Sequence, residues 1–315
     1  MKNREKPLVL RKYETIFARL PKNSPMRPEI QYELAKYHKG YIGEKKVDYY
    51  LLHLPQRYIH LRDVYLLNNG QSFQIDNLII TPHAIYIIEV KNYNGKIIFD
   101  TILNQFTRDD GEKETGFNHP ITQAELQQIK FQNWLQKSGY PPIPIHYFIA
   151  ISEPATKIKV IGDKEAIASV VARGEHIPKK IIDMENTLSH NPTIQQQKIG
   201  HAVRRACREF DFDVMAKHEL TIDNLLPGVE CPGCGKLGME RTHGFWFCTH
   251  CNKSSKNAHQ KAISDYLLCS GNFITNKECV RFLKINSRSL ATRILQASNL
   301  TFQKEHKIWI QERPR

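Results

Sequence analysis

The chain has 315 residues, 41% hydrophobic and 24% charged, enough for two or three domains that each bury a core. No apolar run nears the roughly 18 residues that cross a bilayer, so a membrane-spanning protein is not expected. Net charge is +13, of which residues 1–150 carry +5, residues 151–230 carry −1 and residues 231–315 carry +9. A basic excess gathered in the last quarter suits a polyanion, nucleic acid ahead of an anionic membrane surface.

Residues 1–27 read as a leader, helical in part and broken at Pro21, Pro25 and Pro28. It is basic, but Arg11, Lys12 and Arg19 interrupt its apolar patches and it lacks a signal-peptide core; a cytoplasmic protein is the expectation. From Glu29 to Leu54 apolar residues recur at helical spacing: Ile30, Leu34, Tyr37 and Tyr41, then Val47, Tyr50, Leu51 and Leu54. Gly40 and Gly43 within this helix each cost about 1 kcal/mol relative to Ala, which close approach to a sheet would justify. Glu44 lies beside them, and by itself reads as a solvated helix carboxylate.

Phe73 to Gly95 is the most informative stretch. Two runs rich in Ile, Tyr and Val flank a Thr81-Pro82-His83-Ala84 break, which predicts a β-hairpin. A loop centred between Pro82 and His83 sets Asp76 opposite Glu89, with Cβ atoms about 4.5–5.5 Å apart. Lys91 shares the face of Glu89, because side chains alternate along a strand. Two facing carboxylates among aliphatic residues repel each other, and a hard divalent cation relieves that repulsion. Taken alone, Glu89-x-Lys91 also fits an ordinary surface ion pair of little energetic weight.

Beyond the hairpin, Gly95 to Phe99 could extend the sheet, and Arg108 to Gly116 reads as a charged loop. Ile121 to Gln136 is predicted as a glutamine-rich helix with Leu126, Ile129, Trp134 and Leu135 inward and Gln123 in its first turn. Ile145 to Ile151 is predicted as a buried strand. Ala168–Ala172 and Gln195–Arg208 supply a further strand and helix of the same domain. No phosphate-binding G-x-x-x-x-G-K-[ST] loop occurs.

Four of the seven cysteines fall in the pattern C-x2-C-x13-C-x2-C at Cys231, Cys234, Cys248 and Cys251. Four thiolates so spaced close a tetrahedral structural Zn²⁺ site, and the stretch between, with Phe245-Trp246-Phe247, resembles a zinc ribbon. A redox pair is the competing reading; His243 and His250 are reserve ligands. Cys207, Cys269 and Cys279 read as small buried residues.

Thr275-Asn-Lys-Glu278 fits a capping box opening a helix to Leu283, followed by a turn at Lys284–Asn286 and a second helix from Ser287 to Ala297. Val280, Leu283, Ile285, Leu290 and Ile294 are expected inward; Arg288, Thr292, Arg293 and Gln296 outward. With Thr301–Gln303 and Ile308–Ile310 pairing as a wing, this resembles a winged helix-turn-helix, whose second helix contacts DNA. Lys253, Arg288, Thr292 and Arg293 are therefore the candidate nucleic-acid contacts. A helical hairpin with no DNA role is the competing reading.

Asp76, then Glu89-Val90-Lys91, resembles the signature of the PD-(D/E)XK nucleases, and the likeness extends to the NERD (nuclease-related domain) family. Gly40-Tyr-Ile-Gly43-Glu44, Gln74-Ile-Asp76, Ile87-Ile-Glu89-Val-Lys91-Asn-Tyr-Asn-Gly95 and Asn118-His-Pro120-Ile-Thr-Gln123 resemble its motifs in order, with His119 as an insertion. The resemblance implies an α/β fold: a restriction-endonuclease-like mixed sheet flanked by helices, followed here by the ribbon and the helical unit. The expected divisions are 1–27, 28–225, 226–257 and 258–315.

It also implies metal-dependent phosphodiester hydrolysis, with DNA the expected polymer. Asp76 and Glu89 would hold Mg²⁺ (or Mn²⁺), with the Val90 carbonyl as a third ligand. Lys91 would orient or activate water, Glu44 would add a carboxylate, and Gln123 would place substrate. The competing expectations are a non-catalytic DNA-binding regulator or adaptor on an inactive nuclease fold, and a hydrolase of RNA or of another substrate.

Overall fold

The computed structural model describes residues 4–68 and 70–311. They form two compact units: residues up to Pro7 with Lys36–Phe210, and Leu8–Ala35 with the residues from Asp211 onward. Two helices open the chain, α1 (Leu8–Arg19) and α2 (Arg27–Leu51). The stretch read as a leader, 1–27, is thus divided: Arg4 belongs to the first unit and α1 to the second. The expected divisions at 225/226 and 257/258 likewise differ from the observed boundary at 210/211.

In the first unit β1 (Ile59–Asn68), β2 (Gln71–Ile80) and β3 (Ile85–Lys91) follow α2. Next come β4 (Lys96–Asp100), β5 (Gln105–Asp109) and β6 (Glu114–Phe117), then α3 (Pro120–Lys137) and β7 (Ile145–Ile151). β8 (Lys157–Ile161), α4 (Lys164–Val170), β9 (Val171–Arg173), α5 (Ile177–Thr187) and α6 (Gln196–Ala206) complete it. β1-β2-β3-β7-β9 form a mixed sheet, antiparallel from β1 to β3 and parallel from β3 to β9. β6-β5-β4-β8 form a second sheet.

The β2–β3 register is the expected one: Asn77 pairs Ile88 and Ile80 pairs Ile85. Thr81 closes the turn, its N–H donating to the Ala84 carbonyl at 3.0 Å. Strand β3 lies between β2 and β7, and all but its last residue are buried, hence its unbroken apolar reading. Ile79, Tyr86, Ile88 and Phe148 join Val47 and Leu51 of α2 in one core cluster; Ile75, Ile87, Phe131 and Leu135 join another.

Only one of the helix glycines is explained by close approach. A Cβ on Gly43 would lie 2.6 Å from the Asn92 Cβ, whereas around Gly40 there is open space. Gly95 to Phe99 starts the second sheet rather than extending the first. Of the charged stretch at 108–116 only residues 110–113 are a loop; the rest belongs to β5 and β6, paired from Phe106–Phe117 to Asp109–Glu114. The inward face of α3 is only partly the one expected: Leu135 is buried and Trp134 half-buried as expected, but Leu126 and Ile129 are exposed, while Ala124, Gln127 and Phe131 are buried. Hydrophobicity alone misorients this helix because two of its glutamines, Gln123 and Gln127, bind charged groups of β3.

The second unit contains α7 (Val214–Lys217), the strands β10 (Glu240–Arg241), β11 (Trp246–Phe247) and β12 (Ser254–Ser255), and α8 (Ala258–Ser270). β13 (Phe273–Ile274), α9 (Asn276–Leu283), α10 (Arg288–Gln296), β14 (Thr301–Gln303) and β15 (Ile308–Ile310) follow. The capping box at Thr275–Glu278, the left-handed Lys284 and the β14–β15 wing are all present. Val229, Met239 and Trp246 of the ribbon share one continuous core with Ile263, Tyr266, Phe282, Leu283 and Leu295. Trp246 also donates its indole N–H to His259 Nδ1 at 3.0 Å. Ribbon and helical unit are therefore built as one body. Arg19 of α1 is buried in it, bonded to Asp265 at 2.9 Å and to the Leu226 and Gly228 carbonyls, with its guanidinium 4.7 Å from the Phe282 ring centre. Of the remaining cysteines Cys279 is buried, and Cys207 and Cys269 are half-buried.

Candidate active site and metal centre

Strands β2 and β3 bring Asp76, Glu89 and Lys91 together, α3 adds Gln123 and α2 adds Glu44. Glu89 is buried, its Oε1 accepting from Lys91 Nζ at 2.6 Å and its Oε2 from Gln127 Nε2 at 2.8 Å. Lys91 Nζ donates also to Gln123 Oε1 at 2.9 Å. Asp76 Oδ2 accepts from the Val90 N–H at 2.8 Å, which ties the carboxylate of one strand to the backbone of the next.

The charges in this cluster do not balance. Burial, with Glu89 and Glu44 nearby, raises the Asp76 carboxyl well above the usual range against the pull of the Val90 N–H and Lys91. Burial and the carboxylates of Asp63, Asp48 and Glu89 push Glu44 up to about 7, although Arg4 works against them. Burial acts to lower Lys91, but Glu89 and Asp76 outweigh it and its pKa is raised, so the ammonium stays charged. Among the described residues, and with every group ionised, five carboxylates (Glu44, Asp48, Asp63, Asp76 and Glu89) face Arg4, Arg62 and Lys91, a formal excess of two negative charges. Of these, Asp76 and Glu89 are the carboxylates not bonded to Arg4, and oxygen donors of that kind suit a hard divalent cation.

The sign of the pH dependence follows. Below about 7 Glu44 holds a proton, as Asp76 does over a raised range, and a cation must displace those protons. Affinity for Mg²⁺ or Mn²⁺ is expected to strengthen as pH rises from 6 to 8, with proton uptake by the buffer on binding. Calorimetry in buffers of different ionisation enthalpy reads both quantities. A pH-independent affinity would remove Glu44 and Asp76 from the cation site.

Two residues at this site carry no motif. Gln127 lies one turn beyond Gln123 on the same face of α3; that spacing is the signal that could have found it. Arg4 had no local signal, since among the described residues the side-chain bonds it makes all go to partners at least 40 residues away. His119, the insertion relative to the family motif, precedes α3 and packs edge-on against Phe99 and Phe106.

The four cysteines converge, all four sulfurs lying within 4.8 Å of one another. Cys231 and Cys251 are 3.6 Å apart and Cys234 and Cys248 3.7 Å, against about 3.8 Å for the edge of a tetrahedral zinc–thiolate site. The Gly233 N–H points at the Cys231 sulfur at 3.3 Å. This group could hold a metal such as zinc.

Lys253, Arg288 and Arg293 are exposed. Thr292 is half-buried, donating to the Arg288 carbonyl at 3.0 Å and accepting from Asn276, whose Oδ1 receives the Trp309 indole N–H. Its hydroxyl thus braces α10 against α9. Arg241 of β10 is an unanticipated addition: burial and the nearby Arg293 lower its pKa, so two guanidiniums approach on one side of the unit.

Residues 39–152 match the family model of the nuclease-related domain, NERD. An uncharacterized protein of Bacillus anthracis is 26% identical over 202 residues, covering 64% of this chain and 91% of that protein. Among the described residues no helix is long and apolar enough to cross a membrane. The segment 39–152, which carries Glu44, Asp76, Glu89, Lys91 and Gln123 on one mixed sheet and its flanking helices, is a nuclease-related domain.

Proposed function

We propose that the chain is a metal-dependent nuclease that hydrolyses phosphodiester bonds of DNA. The observation that carries this reading is the Asp76–Glu89–Lys91 cluster, with its excess of negative charge and its glutamine supports. Asp76 and Glu89 are the residues that would hold Mg²⁺ (or Mn²⁺). When bound, such an ion lowers the pKa of water and offsets charge on the scissile phosphate.

The chain's own groups divide the remaining work. Lys91, kept protonated by Glu89 and Asp76, donates rather than accepts protons; it orients water and faces the developing phosphate charge. Gln123 fixes the Lys91 ammonium and Gln127 fixes Glu89, so both catalytic side chains are held from α3. Glu44, pushed to about 7 with no cation bound, would add a further carboxylate for the cation or its water.

In the second unit the four cysteines would bind structural Zn²⁺. Lys253, Arg288, Arg293 and Arg241 would contact phosphates, giving affinity without base reading. Thr292 supports α10 from behind.

Plasmid DNA incubated with the full chain and Mg²⁺ is expected to be cut, and EDTA to stop the cutting. Binding should weaken steeply with salt, and replacing Arg288 and Arg293 by Gln should flatten the log–log slope by roughly 0.9 for each phosphate that is no longer neutralised. No cleavage under any divalent cation would favour the non-catalytic DNA-binding alternative. An unchanged slope would assign the basic face to another kind of partner.

A further inference from the structure

The first described residue of the chain lies deep in the acidic cluster. The Arg4 side chain has no accessible surface, and its carbonyl accepts from the Tyr41 hydroxyl at 3.2 Å. Nε and Nη2 grip both oxygens of Asp48 at 3.0 Å. Nη1 reaches Glu44 Oε2 at 2.9 Å and also Asp63, while Nη2 reaches the Asp76 carbonyl and Asn77 Oδ1, each at 3.0 Å. One planar fork thus spans α2, β1 and β2 and touches the backbone of a candidate metal ligand. Arg4 lies outside the segment that matches the nuclease-related domain.

We propose that Arg4 is a positioning residue of the catalytic unit, which sets Glu44 for the cation site and so makes the N-terminal arm part of that site. The proposal rests on the nuclease reading. Asp48 already has a second basic partner, Arg62 at 2.9 Å, so neutralising Asp48 alone does not account for Arg4. Among the described residues, Arg4 alone holds Glu44 Oε2 while bonding the Asp76 carbonyl. A lysine, with one nitrogen in place of the fork, cannot reach Asp48, Glu44, Asp63 and the Asp76 carbonyl together.

Mn²⁺ binding to the zinc-loaded full chain, measured by calorimetry, tests the proposal in a double-mutant cycle of Arg4→Ala and Glu44→Gln. Removing a positive charge should, by Coulomb's law alone, tighten Mn²⁺ binding. Loss of positioning predicts the opposite: Arg4→Ala weakens it about tenfold, the size usual for supports behind metal ligands. In the Glu44→Gln background that weakening should vanish, and Arg4→Lys should recover only part of it in the parent chain.

Tighter binding, or the same change in both backgrounds, would overturn the proposal. Should Arg4→Ala fail to fold, the same cycle is run with Arg4→Lys, with the same criteria. Plasmid cleavage is assayed in parallel: a parent chain that binds Mn²⁺ without cutting refutes the nuclease reading and leaves the Arg4–Glu44 coupling to be read from the cycle. A parent chain that binds no Mn²⁺ refutes both.

Discussion

Asp76→Asn is expected to lower Mg²⁺-dependent cleavage by about a thousandfold, the scale on which loss of one charged group facing the transition state acts, without loss of thermal stability. Asparagine retains an oxygen for the Val90 N–H but removes a charge that burial, Glu89 and Glu44 all disfavour. Its melting temperature in the absence of metal should equal or exceed that of the parent. Glu89→Ala is expected to lose activity as fully but to behave differently as a protein. It strands the Lys91 ammonium and leaves Gln127 without its acceptor, and breaking one side of a buried ion pair costs about 3–5 kcal/mol. Comparing cleavage and melting for the two variants separates chemistry from support. Full activity in Asp76→Asn would end the nuclease assignment.

The second large effect concerns the cysteines. Purified protein should carry about one Zn²⁺ per chain, and Cys234→Ser should release it. Binding energy at such a site is folding energy, about 10–16 kcal/mol in small zinc modules. The cysteine spacing by itself would confine the loosening to residues near 228–256. The shared core of Trp246, Val229 and Met239 with α8–α10 extends the damage into the winged region, through the Trp246–His259 bond. Hydrogen exchange should therefore speed up from the ribbon through β15, together with exposure of Trp246 and Trp309. A variant whose exchange changes only within the ribbon would show that the common core holds without metal. Iron, or no metal at all, in elemental analysis would count against a zinc ribbon.

How much is legible in the sequence tracks how local the physics is. The β2–β3 turn, the Thr275 capping box, the β14–β15 wing and the cysteine spacing are set by residues close in the chain, and each lies where expected. The orientation of α3 is misjudged from hydrophobicity because its buried face includes Gln127, whose partner Glu89 is 38 residues away. Arg4 and Arg19 are hidden for the same reason: an arginine in a basic N-terminal stretch looks solvated until its distant carboxylate appears. The second sheet escapes notice because β5 and β6 are short and charged, and no strand-like alternation marks them.

The passage of the chain from one unit to the other and back has a consequence for synthesis. Leu8, Val9, Leu10, Tyr13 and Ile16 of α1 are buried within a unit that, apart from the start of α2, is built from residues after Phe210. Helix α8, which α1 packs against, begins to leave the ribosome about 240 residues after α1 is complete. At roughly 5–20 residues per second that is a wait of about 12–48 seconds with an apolar helix face uncovered. The nascent chain is therefore a natural client for a holding chaperone during that interval, and a fragment spanning only 36–210 is born without Arg4.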